Sequence, residues 1–375
     1  MQKVLIIGGG FAGLSAAQKL CRYKKTFNIS LIDKQAQFNF LPMLPDVIGR
    51  RVNPGRLVYG LEDIGARFGF EFIRGAVTSV DLKMKLVQTS SGPLKYDYLI
   101  IASGSETNFY NNRVIEKYAC KLDNAEDSRK ILQTLNDSDF DEYVVSGGGY
   151  TGIEIAISIK EYLSRRAKAK RVIIVERQPN ILGMLPEWMK SYALSNLQKL
   201  GIEVLCNNTV EKIEGRRVFL SGKETFENAL LIWCAGVRTA DFVQAQEARK
   251  NPQGRLIVDG YLRLDEFCFV AGDAACVASG QGFLRMAVQF AITEGRVAAE
   301  NIKNLVYKRP LKKYRPLDLG LIIPMANNRS CGKVMGIKMR GFPPTLFHFL
   351  MCIYRSYGLK NKFGVIKDLL VNKEV

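Results

Sequence analysis

Residues 4–20 read VLIIGGGFAGLSAAQKL, a β-branched apolar run that passes through three consecutive glycines into an Ala-rich stretch. The unbroken apolar character of residues 4–7 suits a strand buried on both faces, and the segment after Gly10 suits a helix. Gly8, Gly10 and Gly13 stand in G-x-G-x-x-G spacing. The first permits a tight turn, the second lets backbone approach a pyrophosphate, and the third allows the helix to pack closely on the strand. The helix start then aims amide N–H groups and the positive end of its dipole at an anion. A second strand, FNISLID, ends at Asp33, 20 residues beyond Gly13, where a carboxylate can accept hydrogen bonds from ribose hydroxyls. Phe11, Ala12 and Lys34 flank these positions and complete the first candidate nucleotide site. A lone glycine turn is the bland alternative. Strand, helix and terminal acid in register favour a dinucleotide.

The device recurs at EYVVSGGGYTGIEIAISIKEYL, which sets Gly147, Gly149 and Gly152 between another strand and another helix. VIIVERQ supplies Glu176, 24 residues past Gly152. Two such sites in one chain suit an enzyme in which one dinucleotide reduces the other. The acid at Glu176 favours the free 2′-hydroxyl of NAD, while Arg177 beside it keeps NADP open. Downstream, PNILGMLPEWMKSYALSNLQKLGIEVL predicts a helix starting at Pro186 and ending near Gly201, followed by a strand.

With 375 residues and 47% hydrophobic content, the chain can bury large cores in two or three domains. A strand pattern that begins almost at Met1 leaves no room for a signal peptide, so export is not expected. Eight cysteines are scattered without a C-x-x-C pair, which argues against a metal site or a redox-active disulfide. The formal net charge is +18, and residues 301–375 hold 15 Lys and Arg against 3 acids. A basic surface so concentrated suits an anionic partner. No helix-turn-helix, RNP motif or zinc finger is present, so an acidic lipid surface is favoured and no nucleic acid is expected.

Two further segments, YDYLIIASGSE (96–106) and CFVAGDAACV (268–277), together with the paired loops, resemble the signatures of the two-dinucleotide-binding-domain flavoproteins, the pyridine nucleotide-disulfide oxidoreductase-like superfamily. That resemblance implies an α/β fold with two Rossmann-like dinucleotide-binding domains in a glutathione-reductase-like arrangement, followed by a C-terminal amphipathic-helix membrane anchor. FAD is expected at the first loop and NADH, as substrate, at the second. Asp273 would meet the ribityl and phosphate region of FAD, and Val77 would meet adenine through its backbone. Ala102, Gly104, Gly272 and Val288 join the expected flavin contacts, and Gly236 of IWCAGVRT joins the NADH contacts. A plain turn residue at Asp273 and a core-strand residue at Val77 are the other readings. The expected boundaries are 1–112 with 240–320 for FAD, an inserted 113–239 for NADH, and 321–375 for membrane association.

More narrowly, FLPMLPDVIG, GGGYTGIE, IWCAGVRT and the tail from GLKNKFGVIKDLL resemble type II NADH:quinone oxidoreductases, single-subunit respiratory enzymes that do not pump protons. Hydride would pass from NADH to FAD, and two electrons would then pass to a membrane quinone. The resemblance places Glu154 near the nicotinamide and quinone side of the flavin, although an acid in a first helical turn is also favoured by the helix dipole alone. RMAVQFAITEGRVAAENI resembles the family's quinone-site helix, whose pattern is A-Q-x-A-x-Q. Gln289 is retained and can hydrogen-bond a quinone carbonyl, whereas Thr293 replaces the second Gln. Arg340 occupies a position where the family has a Lys near the quinone entrance; a basic surface residue is the alternative. Related disulfide reductases need a cysteine pair, and sulfide:quinone oxidoreductases rely on cysteines at the flavin. The latter class and a noncatalytic NADH-sensing flavoprotein that binds a partner through its basic tail are the rival readings.

The tail contains GFPPTLFHFLMCIYRSYGL (341–359), too short an apolar run to span a bilayer. At helical pitch Thr345, His348, Cys352, Arg355 and Ser356 form a narrow polar stripe, and Leu346, Phe347, Phe349, Leu350, Met351, Ile353, Tyr354 and Tyr357 form the opposite face. Gly358 suits a helix stop, and KNKFGVIKDLLVNK reads as a second helix with Phe363, Ile366, Leu369 and Leu370 on one side. A broad apolar face with basic flanks fits a helix lying in an anionic interface, peripheral to the cytoplasmic face of the cell membrane. A homodimer contact, or a helix covering the sheet, is the other use of such a face. His348 lacks a metal-binding cluster and is expected to be an interfacial polar residue.

Overall fold

The computed structural model describes residues 1–280 and 282–371. Two compact units emerge, each assembled from three separated stretches. The first comprises Met1–Phe38, Tyr59–Glu106 and Val237–Asp318. The second comprises Asn39–Val58, Thr107–Gly236 and Leu319–Val375.

The first unit is built on a five-stranded parallel sheet in the order Cys268–Val270, Tyr98–Ile101, Gln2–Ile7, Phe27–Asp33, Glu71–Arg74. Its central strand is apolar throughout residues 4–7 because all four side chains are buried, on both faces of the sheet. The helix Phe11–Leu20 follows at once, and the long helix Val288–Val306 packs against it. Close approach is possible because Gly295 faces Ala12, where a Cβ would come within 2.1 Å of the Ala12 carbonyl oxygen.

The second unit repeats the plan with a four-stranded parallel sheet ordered Ile202–Cys206, Arg171–Glu176, Glu142–Ser146, Ala229–Trp233. Alternate residues of its central strand enter different cores. Tyr143 and Val145 pack with the helix Tyr150–Ser164, and Val144 packs with a three-stranded meander spanning Val210–Glu214, Arg217–Leu220 and Thr225–Phe226. The predicted helix is found at Glu187–Lys199 with Pro186 as its N-cap, and Gly201 follows in the left-handed region.

Besides shifts of a few residues at the other boundaries, the units depart from the expected layout in two respects. Asn39–Val58 belongs to the second unit, although the sequence suggested residues 1–112 as one block. The reason is local: the helix Leu44–Gly49 packs against Tyr150–Ser164, and a Cβ on Gly49 would lie 2.6 Å from the Ser158 hydroxyl. The tail is not separate either, because Leu319–Val375 clusters with the second unit. Ile323, Met325 and Cys331 enter that unit's core directly. Ile323 and Cys331 belong to an antiparallel sheet of Gly320–Ile323, Ser330–Val334 and Ile337–Gly341, and Met325 to the connection between its first two strands; the last hairpin turns at Met335 and Gly336, both with positive φ.

Two helices close the described chain, Phe342–Arg355 and Leu359–Val371. The expected final residues of the second, Asn372 and Lys373, lie outside the described residues. No helix among the described residues is long and apolar enough to cross a membrane.

Candidate functional site

Both glycine loops form the same machine. Gly8 and Gly147 adopt φ of +108° and +107°, and a Cβ on either would strike the carbonyl oxygen of Ala102 or Cys234. Gly13 and Gly152 are closed to any side chain, since a Cβ would lie 1.9 and 1.8 Å from the Gly8 and Gly147 carbonyl oxygens. Gly10 and Gly149 differ from these: nothing lies within 4 Å of a Cβ built on them. Packing therefore explains the outer glycines, but the middle one keeps a space open beside the helix start. Neither helix start has a side-chain cap or an acid in its first turn.

The strand-end acids are used alike as well. Asp33 accepts from the Gly9 N–H at 2.7 Å and the Gln35 N–H at 2.8 Å. Glu176 accepts from the Gly148 N–H at 2.6 Å and the Gln178 N–H at 2.8 Å. Each carboxylate ties its strand to its glycine loop, a role the ribose argument did not foresee. Burial pushes the Asp33 carboxyl up, against the two N–H donors and the nearby Lys34 charge. Lys34 itself bonds to Glu106 at 3.1 Å.

Around the first loop, Ala102 is buried and Gly104 has φ of +68° with open space at its Cβ position. Asp273 accepts from the Ser105 hydroxyl at 2.8 Å, and burial raises its carboxyl. Gly272, at φ +71°, donates its N–H to Glu294 at 2.7 Å. Glu294 is itself buried and pushed up to about 7, mainly by desolvation. Arg255, also buried, donates to the Asp273 carbonyl at 3.2 Å. Ser105, Arg255 and Glu294 were missed because neither motif spacing nor periodicity marks them. Val77 opens the strand Val77–Asp81, and Val288 opens the helix Val288–Val306 after an uncapped Ala287. Gly236, at φ +147°, faces the Tyr110 hydroxyl.

The residues present fit a dinucleotide at each loop. An open middle glycine, a helix start without a competing carboxylate, and an acid at the next strand end are the groups a pyrophosphate and a ribose require.

The four candidate catalytic residues divide between the units. Gln289 and Thr293 lie one turn apart in the first; Glu154 and Arg340 lie in the second. The Gln289 amide donates to Asp318 at 3.1 Å, and Arg285 grips the same carboxylate at 2.5 and 2.8 Å. The Thr293 hydroxyl contacts the Gln289 carbonyl and the Tyr314 hydroxyl, each at 3.0 Å. Arg340 stacks over Trp188 and Tyr192 at 5.3 and 5.5 Å.

Glu154 sits half-buried in the first turns of Tyr150–Ser164. Burial is the main cause pushing its carboxyl up to about 8; the His348 imidazolium opposes this and Asp46 adds to it. His348 is not interfacial, as the sequence suggested. It turns inward, 3.9 Å from Asp46 and 3.6 Å from the Cys352 sulfur, while Arg50 holds the other Asp46 oxygen at 3.2 Å. Burial opposes its charge, but Cys352 and Asp46 outweigh that and hold the imidazole well above its ordinary range. No group of residues suited to a metal ion occurs among the described residues, and all eight cysteines are free.

Paired dinucleotide loops on paired parallel sheets define an oxidoreductase of the two-nucleotide kind. The pattern of the pyridine nucleotide-disulphide oxidoreductase family matches residues 2–295, and the protein belongs to that family. It is similar to a type II NADH:quinone oxidoreductase of Staphylococcus haemolyticus, 26% identical over 375 residues and covering 91% of each chain. It is also similar to demethylphylloquinone reductase NdbB of Synechocystis, 28% identical over 374 residues, covering 94% of this chain and 92% of that one. Its fold matches NDH2 from Plasmodium falciparum, solved in complex with NADH, with a TM-score of 0.87 at 18% identity, covering 100% of this chain and 98% of that one.

Proposed function

We propose that this protein is a single-subunit, non-pumping NADH:quinone oxidoreductase, with FAD at the first loop and NADH at the second, working at a membrane surface. The observation that carries the reading is the duplicated loop: each unit keeps one glycine open and one strand-end acid in place. When bound, FAD accepts a hydride from a nicotinamide and returns two electrons to an acceptor.

The chain's own part is placement. Gly8, Gly10 and Gly13 with the Phe11–Leu20 helix start bind one pyrophosphate, and Asp33 binds a ribose. Gly147, Gly149, Gly152 and Glu176 do the same for NADH. Asp273, positioned by Ser105, orients the flavin's ribityl and phosphate region. Glu154 holds a proton at neutral pH, available where a quinone becomes a quinol. Gln289 offers an amide to the quinone, in exchange for its bond to Asp318. Arg340 is the residue at the quinone entrance.

The tail supports the membrane half of the reading. The polar stripe of Phe342–Arg355 faces its own unit: Thr345 and Ser330 share a hydrogen bond of 2.6 Å, and Cys352 and Ser356 are buried. The outward face carries Phe342, Leu346, Phe347, Leu350 and Tyr354, all exposed, and the next helix exposes Leu359, Phe363 and Leu370. Phe349 departs from the expected outer face; it is buried, with the Arg50 guanidinium 4.9 Å from its ring centroid.

Purified protein mixed with NADH and a soluble quinone analogue tests the function. Bleaching of the flavin by NADH followed by reoxidation by quinone is expected. Bleaching without reoxidation would favour an NADH sensor, and flavin reduced by sulfide but not by NADH would favour the sulfide-oxidising class.

A further inference from the structure

Within the first unit, the helices Phe11–Leu20 and Val288–Val306 touch at Ala12 and Gly295, and one turn further on a cleft of about 440 Å³ is found between them. Lys19, Arg22, Arg296 and Lys312 line it, with Glu300 as its one acid. Glu300 is already engaged, 2.8 Å from Lys19 and also bonded to Lys303. Among the described residues no carboxylate lies within 4.0 Å of the side chains of Arg22, Arg296 or Lys312. Arg22, Arg296 and Lys312 therefore share one concavity with a single carboxylate that two lysines already hold.

The dipole of the first helix accounts for Lys19 and Arg22, which lie at its negative end. It does not account for Arg296, in the middle of a 19-residue helix, or for Lys312, in the segment after it. Lys312 is held there deliberately. The fully buried Asn301 side chain accepts from the Lys312 N–H at 2.7 Å and donates to the Lys312 carbonyl at 3.0 Å. Asn304 adds a bond to the Pro310 carbonyl at 2.9 Å. A buried amide thus fixes the backbone that carries a cation to the rim, and like charges held together repel unless an anion joins them.

We propose that this cleft binds a phosphate-bearing anion, either a free polyphosphate or an anionic phospholipid headgroup, through Arg22, Arg296 and Lys312. Its volume lies in the range of small-molecule sites. Two guanidinium groups offer fork-shaped donors matched to phosphate oxygens, and Lys312 adds a point charge. None of its lining residues belongs to either glycine loop, so binding here does not consume a dinucleotide position.

The test compares the flavin-loaded protein with its R22Q/R296Q/K312Q variant at constant ionic strength; flavin content and NADH:quinone turnover serve as checks on folding. Inorganic tripolyphosphate is titrated by calorimetry, and vesicles of phosphatidylglycerol or phosphatidylcholine are sedimented with the protein. Tripolyphosphate binding weakened about tenfold or more in the variant identifies a free phosphate as ligand. A selective loss of phosphatidylglycerol binding identifies the headgroup. Equal affinities for both probes in the two proteins overturn the proposal. Should the triple variant lose flavin, R296Q alone is compared in the same way: a weakened probe supports the site, and unchanged affinities overturn it.

Discussion

At the scale of single residues, the glycines separate ligand from packing. Gly10 and Gly149 have extended backbones that any residue adopts, and neither meets a neighbour at its Cβ position. Gly10→Val is therefore expected to fold but to lose flavin, and Gly149→Val to keep flavin while the KM for NADH rises at least about tenfold. Flavin absorbance and NADH kinetics check both; flavin retained in Gly10→Val would remove the first loop from the reading. The spacing made these positions legible. It could not reveal that Asp33 and Glu176 also bind their own loops, because that depends on a turn closing back on the strand end. His348 was misread for a similar reason: its partner Asp46 is about 300 residues earlier in the chain.

The Glu154 and His348 groups act in the same sense: each holds a proton in the fold that the unfolded chain releases at lower pH, so stability falls as pH rises through either window. For Glu154, the folded protein holds a proton that the unfolded chain releases near the ordinary carboxylate value, so stability falls as pH rises from about 4.5 toward 8. Glu154→Gln should remove that fall, gaining on the order of 1–3 kcal/mol at pH 8.5 relative to pH 5 in denaturant titrations, a range that allows for its partial exposure. Quinone turnover limited by this proton should decline above about pH 8 in the parent and lose that limb in the variant. An unchanged pH profile would exclude the role. His348, raised in the fold, contributes stability that is complete below about pH 6.5 and disappears as pH climbs through its elevated value. His348→Gln is thus expected to cost about 1–3 kcal/mol at pH 6 and less at pH 9. A pH-independent cost would assign His348 to packing alone. Asp46 and Cys352 face it directly, Glu154 interacts with its charge, and Arg50 holds Asp46.

Among elements, strand–glycine–helix units were legible because a change of hydrophobic period coincides with glycines whose purpose is geometric. The hairpin before the tail was not foreseen, although Met335-Gly336 between two short strands is a recognisable two-residue turn. The polar stripe on the first tail helix was read correctly as a stripe, but its direction was not available from the sequence. An amphipathic pattern states that two faces differ. Which one meets protein depends on what waits across from it, here Ser330 and Asp46. The second tail helix is fixed by charge as well, since Asp368 lies 3.1 Å from Arg56 and accepts from the Asn53 N–H at 3.0 Å. Both partners come from the early Asn39–Val58 stretch, whose membership of the second unit no local pattern announced.

For the whole molecule, that attachment changes how membrane binding should be tested. Deleting the chain after Gly341 would remove Phe349, Cys352 and Val365, which are buried, and would confuse loss of a membrane contact with loss of folding. The outward positions carry no such burden. Leu346, Leu350 and Phe363 are 46, 54 and 68% exposed, and substitution of exposed residues usually changes stability by no more than about 0.5 kcal/mol. On an interfacial helix the same positions contribute apolar area to the bilayer, while the chain's charge of +18 supplies attraction to anionic lipid. Leu346→Glu/Leu350→Glu/Phe363→Glu is expected to retain flavin, thermal midpoint and turnover with a soluble quinone analogue. It should lose at least about tenfold in binding to phosphatidylglycerol vesicles, and turnover with a quinone dissolved in those vesicles should fall in parallel. Vesicle binding equal to that of the parent would leave the exposed face to a second protein chain, and a concentration-dependent change in sedimentation of the parent, abolished in the variant, would identify that chain as another copy.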